Sequence, residues 1–106
     1  MEIHCHNEGG TTRLRFQGEF NIYAAGVKAQ LLTLCAGPEV QLDLAEVDEI
    51  DTVGIQLLLL LYRQARAENR RLTLAECSPT VSGLIELYGL RKAFGLTQPG
   101  DGHERG

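Results

Sequence analysis

Apolar and polar residues alternate near the start of the chain. Between residues 11 and 18, Leu14 and Phe16 alternate with Arg13, Arg15 and Gln17, the period of a strand buried on one face. Residues 2 to 7 read as a partner strand, and Asn7-Glu8-Gly9-Gly10 supplies the turn between them. The period then lengthens. Ala24, Val27, Leu31, Leu34 and Cys35 recur at helical spacing, with Asn21 placed to cap that helix and Gly37-Pro38 placed to stop it. Gly26 weakens it mildly, by about 1 kcal/mol relative to Ala.

Alternation returns at Val40, Leu42 and Leu44, interleaved with Gln41 and Asp43. A separate short apolar-acidic stretch, Val47 to Ile50, leads into Asp51. A long helix is predicted from about Gly54 to Asn69. Ile55, Leu58, Leu59, Tyr62 and Ala65, flanked by Leu57 and Leu61, give it a broad core-facing stripe. Arg71 to Ala75 reads as the next strand. Ser78 and Pro79 then open a helix whose face is Val81, Leu84, Ile85 and Tyr88, and Gly89-Leu90 closes it. Arg91 to Leu96 is expected to add one helical turn, with Phe94 and Leu96 packing down. The order is β-β-α-β-α-β-α, an α/β domain over residues 1–97 followed by a disordered tail, 98–106. Residues 40 to 75 should form a parallel strand-helix-strand unit with a right-handed crossover.

Composition narrows the function more than the fold. The 106 residues, 43% hydrophobic, suffice for one core. Trp is absent and aromatics make up only 6%, so there is no broad stacking platform for bases. A net charge of -4 gives no footprint for a phosphate backbone. Arg63, Arg66, Arg70 and Arg71 read as the solvated end of a helix, and no nucleic-acid partner is expected.

The longest apolar run, Leu57 to Tyr62, falls far short of the roughly 20 residues that span a bilayer. Met1 to Gly10 lacks the pattern of a signal peptide. Cys5, Cys35 and Cys77 form no Cys-x-x-Cys pair, which points to free thiols in a reducing compartment, all three read as buried structural residues. A cytoplasmic, bacterial-type protein without membrane insertion is the expectation.

Enzyme chemistry finds little support in the residue pattern. There is no phosphate-binding Gly-rich loop and no Ser, His and Asp in a suggestive order. His4 and His6 share one strand face with Cys5 opposite, too few ligands for a metal centre. Asp43 and Asp48 read as a polar strand edge and a turn residue. No cofactor and no catalytic residue is expected.

The place of interest is Asp51-Thr52-Val53-Gly54, at the carboxyl end of a strand and the start of the long helix, where α/β domains tend to bind. Helix-opening amides lack intrahelical partners and carry positive partial charge. Taken locally, Asp51 or Thr52 is simply a cap for them. Thr52, Gln56 and Leu60 are spaced four apart along the side away from the apolar stripe, and Leu60 on an otherwise polar face makes a docking strip.

Leu42-Asp43-Leu44-Ala45-Glu46-Val47-Asp48-Glu49-Ile50-Asp51-Thr52-Val53-Gly54-Ile55 resembles the signature of STAS domains (sulphate transporter and anti-sigma factor antagonist): an apolar strand, an aspartate-containing loop, then Asp-Ser/Thr-x-Gly opening a helix. Gly18-Glu19, Leu72-Thr73-Leu74, Ser78-Pro79-Thr80-Val81 and Leu87-Tyr88-Gly89-Leu90 match the family's usual course, so the resemblance runs from about residue 10 to 96. It implies a mixed sheet of four to five strands with about four helices packed against it. In bacterial anti-sigma factor antagonists of this family, the hydroxyl residue after the aspartate is phosphorylated by a partner kinase that is itself the anti-sigma factor. Only the unmodified form binds the partner. Carried onto this chain, the resemblance makes Thr52 the phosphorylation site and Asp51, Thr52, Val53, Gln56 and Leu60 the partner surface of a signal-transduction protein in transcription regulation. Two departures stand out: Thr52 replaces the commoner Ser, and Val53 removes a second hydroxyl. Relatives in bacterial phospholipid transport also carry Thr there, as a plain partner contact. Ile22-Tyr23-Ala24-Ala25 and Gly54-Ile55-Gln56-Leu57-Leu58 look most like STAS proteins encoded beside chemotaxis components. A constitutive adaptor in such a transport or chemotaxis complex is therefore the alternative. Exposed edge strands and Leu60 would also permit a weak homodimer.

Overall fold

The computed structural model describes residues 2–20 and 28–96. Asn21, Ile22-Tyr23-Ala24-Ala25, Gly26, Val27 and the tail 98–106 lie outside the described residues. In chain order the elements are β1 (Glu2–Glu8), β2 (Thr11–Phe20), α1 (Lys28–Leu34), β3 (Glu39–Ile50), α2 (Thr52–Ala67), β4 (Arg71–Cys77) and α3 (Pro79–Leu87). The strands form one mixed sheet in the order β1-β2-β3-β4. β1 and β2 make the expected antiparallel hairpin, turned by Gly9 and Gly10 at φ 57 and 87, where a side chain would be strained. β2–β3 and β3–β4 are parallel. Four strands and three α-helices among the described residues match the expected architecture, except that Arg91 to Leu96 is a set of tight turns rather than a further α-helix.

One face of the sheet carries the core. Leu14 and Phe16 of β2, Val40, Leu42, Leu44, Val47 and Ile50 of β3, and Leu72 and Leu74 of β4 are buried. α2 and α3 both pack on β3 and β4. Leu58, Leu61 and Ala65 from α2, Val81 and Ile85 from α3, Leu31 from α1 and Cys35 just after it join the cluster. Phe94 joins from the C-terminal turns, edge-on to Tyr62 at 6.0 Å. On the opposite face, Arg13, Arg15, Arg71 and Thr73 stand exposed.

β3 departs from the sequence expectation in an informative way. Val40 to Leu44 and Val47 to Ile50 are one strand, not two stretches, and Asp48 lies in that strand rather than in a loop or turn. The parallel register with β2 slips twice, so that Gln17 pairs with Glu46 after Arg15 pairs with Asp43, and Glu19 pairs with Glu49 after Gly18 pairs with Val47. Each slip adds one residue on β3 and turns its side chains to the other face. Strict alternation from Leu44 would bury Glu46 and Asp48. The two bulges instead put Val47 and Ile50 inward and leave Glu46, Asp48 and Glu49 exposed.

Further shifts are smaller. α2 starts at Thr52 rather than Gly54, β2 runs to Phe20 and β4 to Cys77. α2 ends where Asn69 adopts φ 58, a left-handed conformation that Asn tolerates better than most residues. The expectation that all three cysteines are buried is corrected: Cys35 is buried, Cys77 half-buried and Cys5 exposed. Cys5 pairs with Leu14 on the core side of the hairpin, but β1 is the edge strand and none of the described residues buries Cys5 there.

Candidate functional site

β3 delivers the chain to the start of α2, beside the carboxyl end of β2. Asp51 takes an extended conformation at φ -117 and ψ -175, and its Oδ1 accepts a hydrogen bond from the Gly54 amide at 3.0 Å. Its carbonyl accepts from the Ile55 amide at 3.0 Å and its own amide donates to the Phe20 carbonyl at 3.3 Å. Asp51 is thus the N-cap of α2 and a fastener between that helix and β2. A carboxylate here also faces the positive end of the helix dipole.

Gly54 explains the fourth position of the Asp-Thr-Val-Gly run. A Cβ built there would meet the Phe20 carbonyl oxygen at 2.5 Å, Ile50 Cγ1 at 2.9 Å and Phe20 Cδ1 at 3.0 Å. The first turn of α2 presses directly on the ends of β2 and β3, and only a residue without a side chain permits that approach.

With Asp51 turned into the cap, Thr52 is the first helical residue and its side chain is exposed. Its Oγ1 lies 3.1 Å from the phenol oxygen of Tyr88, at the far end of α3, and either oxygen can donate. Gln56 and Leu60 are exposed on the following turns, Leu60 at 39%. Val53 is half-buried. The expected strip of Thr52, Gln56 and Leu60 is therefore accessible, with Asp51 and Val53 partly withdrawn beside it.

Tyr88 is the residue that sequence reasoning misplaced. Its spacing from Val81 and Ile85 put it on the core face of α3, yet it is 48% exposed. It caps the helix end at φ -93 and ψ 3, just before Gly89 at φ 63. Its ring lines an apolar groove with Thr52, Ile55, Gln56, Leu59 and Leu90. Leu87 beside it is 72% exposed, and a shallower depression continues along α2 past Leu59, Leu60 and Arg63. The signal in the sequence was chemical rather than periodic: a phenol at a helix end needs a polar partner if buried and suits a half-wet rim.

Asp48 and Glu49 near the end of β3, and Glu19 near the end of β2, are exposed on the strand ends that lead to this corner. The groove itself is lined by uncharged residues around the Thr52 hydroxyl, and the acidic side chains stand on the strand ends that precede it. His4 and His6 lie at the other edge of the sheet, beside Glu2 and Glu8 at 3.6 Å each. Among the described residues no three His, Cys, Asp or Glu side chains gather as a metal site, and no helix is long and apolar enough to cross a membrane.

With fold and site in view, comparison with known proteins places the chain. The family model described as Mlab, STAS domain matches residues 3–98; the chain belongs to the STAS family. Among solved structures, it resembles the anti-sigma factor antagonist SpoIIAA in its unphosphorylated form, with 21% identity, a TM-score of 0.71, and coverage of 98% of this chain and 95% of that one. The phosphorylated form of SpoIIAA, a Bacillus cell fate determinant, gives 20%, 0.68, and 98% of both chains. An anti-sigma factor antagonist from Mycobacterium paratuberculosis gives 19%, 0.74, and 92% and 86%. At these identities the likeness is one of fold.

Proposed function

We propose that this protein is a phospho-regulated protein-binding switch of the anti-sigma factor antagonist kind, with Thr52 as the modified residue. The observation that carries the reading is the exposed Thr52 hydroxyl at the first turn of α2, on the rim of an apolar groove. In this reading the unmodified surface of Asp51, Thr52, Val53, Gln56 and Leu60, together with Tyr88, grips a cytoplasmic partner that is an anti-sigma factor with serine/threonine kinase activity. The kinase transfers the γ-phosphoryl group of ATP to Oγ1. The bond from phosphorus to ADP breaks, and the threonine proton leaves to a base.

The consequence follows from charge. The phosphate adds about -1.5 to -2. The helix N-terminus tolerates an anion, so the fold survives. Asp48, Glu49 and Asp51 remain nearby. A partner fitted to a neutral hydroxyl and an apolar groove then has to desolvate a dense negative patch. Thr52→Asp should weaken partner binding at least about tenfold, some 1.4 kcal/mol, with an unchanged far-UV circular dichroism spectrum. Affinity capture from native cells with wild type, Thr52→Asp and Thr52→Val as baits tests this. Recovery of a kinase-like ATPase by the wild type and not by Thr52→Asp supports the switch; equal recovery refutes it.

A second reading is a constitutive adaptor in a transport complex. The resemblance to transport relatives that carry Thr at this place supports it, and so does the engagement of the Thr52 hydroxyl by Tyr88, which suits a fixed contact. Transporter ATPase subunits recovered equally by all three baits would favour it.

A further inference from the structure

We propose that Tyr88 reads the state of Thr52 and carries it to the groove: the phenol ring is a movable wall, held in place while Thr52 bears a free hydroxyl and drawn out when it bears a phosphate. The inference rests on Thr52 being the modified residue and adds how modification would reshape the surface.

The Thr52–Tyr88 contact joins two helices whose ends meet only at the surface. Tyr88 Oη stands one hydrogen-bond length, 3.1 Å, from Thr52 Oγ1. No other hydrogen bond of the phenol is found among the described contacts. The ring is 48% exposed and hangs from the C-cap of α3, before a glycine in the left-handed region. It is outside the buried cluster that fixes Val81 and Ile85. It lines one open groove together with Ile55, Leu59 and Leu90.

A phosphoryl group on Oγ1 changes both halves of this contact. Oγ1 becomes an ester oxygen and can no longer donate. Three anionic oxygens, set farther from the helix than Oγ1, become the strongest acceptors within reach of the phenol proton. The phenol follows them outward, because a charge-assisted bond is about twice as strong as the neutral one it replaces and the ring is already about half exposed. The wall leaves Ile55, Leu59 and Leu90, and the groove loses the shape its partner fits. Phosphorylation in this scheme acts by removing an apolar contact surface as well as by adding charge.

The test uses the full chain with phosphothreonine installed at position 52 during translation, compared with the unmodified chain by NMR. Nuclear Overhauser contacts from the Tyr88 ring to Ile55, Leu59 and Leu90 methyls should be present in the unmodified chain and lost in the phosphorylated one. The Tyr62–Phe94 contact, on the buried side of the fold, should persist in both and report an intact core. In a phosphorus NMR titration, Tyr88→Phe should shift the second ionisation of the phosphate upward, because the phenol no longer supports the dianion. Retention of the Tyr88 contacts after phosphorylation overturns the proposal, and so does an unchanged titration midpoint in Tyr88→Phe. Because the phosphate is installed directly, neither result depends on whether a kinase modifies Thr52 in cells. Failure of the movable wall is therefore distinguishable from failure of the switch itself.

Discussion

Replacing Gly54 with alanine places one methyl group where α2 meets the sheet. The added carbon would lie 2.5 Å from the Phe20 carbonyl oxygen, 2.9 Å from Ile50 Cγ1 and 3.0 Å from Phe20 Cδ1. The first of these is backbone, and that carbonyl already accepts the Asp51 amide, so it cannot swing aside freely. Phe20 and Ile50 are both buried, and Phe20 is stacked on Phe16 at 5.8 Å between centroids. Relief has to come from shifting the start of α2. Overpacking of this kind costs about 1–3 kcal/mol. Against it, alanine gains up to about 1 kcal/mol in helix propensity, less at a first turn than in a helix interior. The balance is destabilisation by about 1–2 kcal/mol. At about 4–8 °C per kcal/mol for a domain near this size, thermal unfolding should move down by about 5–15 °C. Calorimetry or circular dichroism melting of wild type and Gly54→Ala gives the answer. An equal or higher melting temperature would show that the helix start is not pressed on β2, and the account of Asp51-Thr52-Val53-Gly54 as a close-packed corner would fail.

Other expectations concern the cap and the thiols. Asp51→Ala removes the acceptor for the Gly54 amide and should cost about 1 kcal/mol, read as a lower denaturant midpoint with an unchanged slope; Asp51→Asn should recover most of it. Cys5 is exposed and Cys35 is 3% exposed, so an alkylating reagent should modify Cys5 rapidly in the native protein and Cys35 only after unfolding, as peptide mapping would show. Burial, partly offset by the Arg70 guanidinium, pushes the Cys35 thiol up to about 11 from 9.0. The folded state therefore keeps a proton that the unfolded chain releases between pH 9 and 11, and the stabilising contribution present below pH 9 is lost as pH rises through that window. The loss is on the order of 2 kcal/mol. Urea titrations at pH 8 and pH 11 should show a smaller fall in stability for Cys35→Ala than for wild type; equal falls would refute the assignment.

Much of this was legible in the residues. Ser78 accepts the Val81 amide at 3.2 Å, Pro79 opens α3 and Gly89 closes it, because capping chemistry acts within four or five residues and is written locally. The core stripe of α2 was largely readable for the same reason, helical geometry being fixed by spacing, although Leu59, expected within it, is half-buried and lines the groove. The two bulges of β3 were not, since a bulge is a property of the register between strands and leaves its trace only as buried positions three apart, at Leu44, Val47 and Ile50. Tyr88 was misplaced because periodicity projects a helix face past the point where the helix ends. Cys5 lies on the core side of the hairpin, but its burial depends on a neighbour that an edge strand lacks. At the candidate site the cap and the hydroxyl could be inferred; the partner that Thr52 finds in Tyr88, 36 residues away, is a fact of tertiary packing.

Intact-mass analysis with mapping of the modified residue, on chain recovered from its native host and on chain incubated with native extract and ATP, bears most directly on the regulatory reading. One phosphoryl group per chain, carried on Thr52, is the predicted result. Phosphate found only at another residue, or a chain left unmodified by an extract that retains its partner, would contradict it.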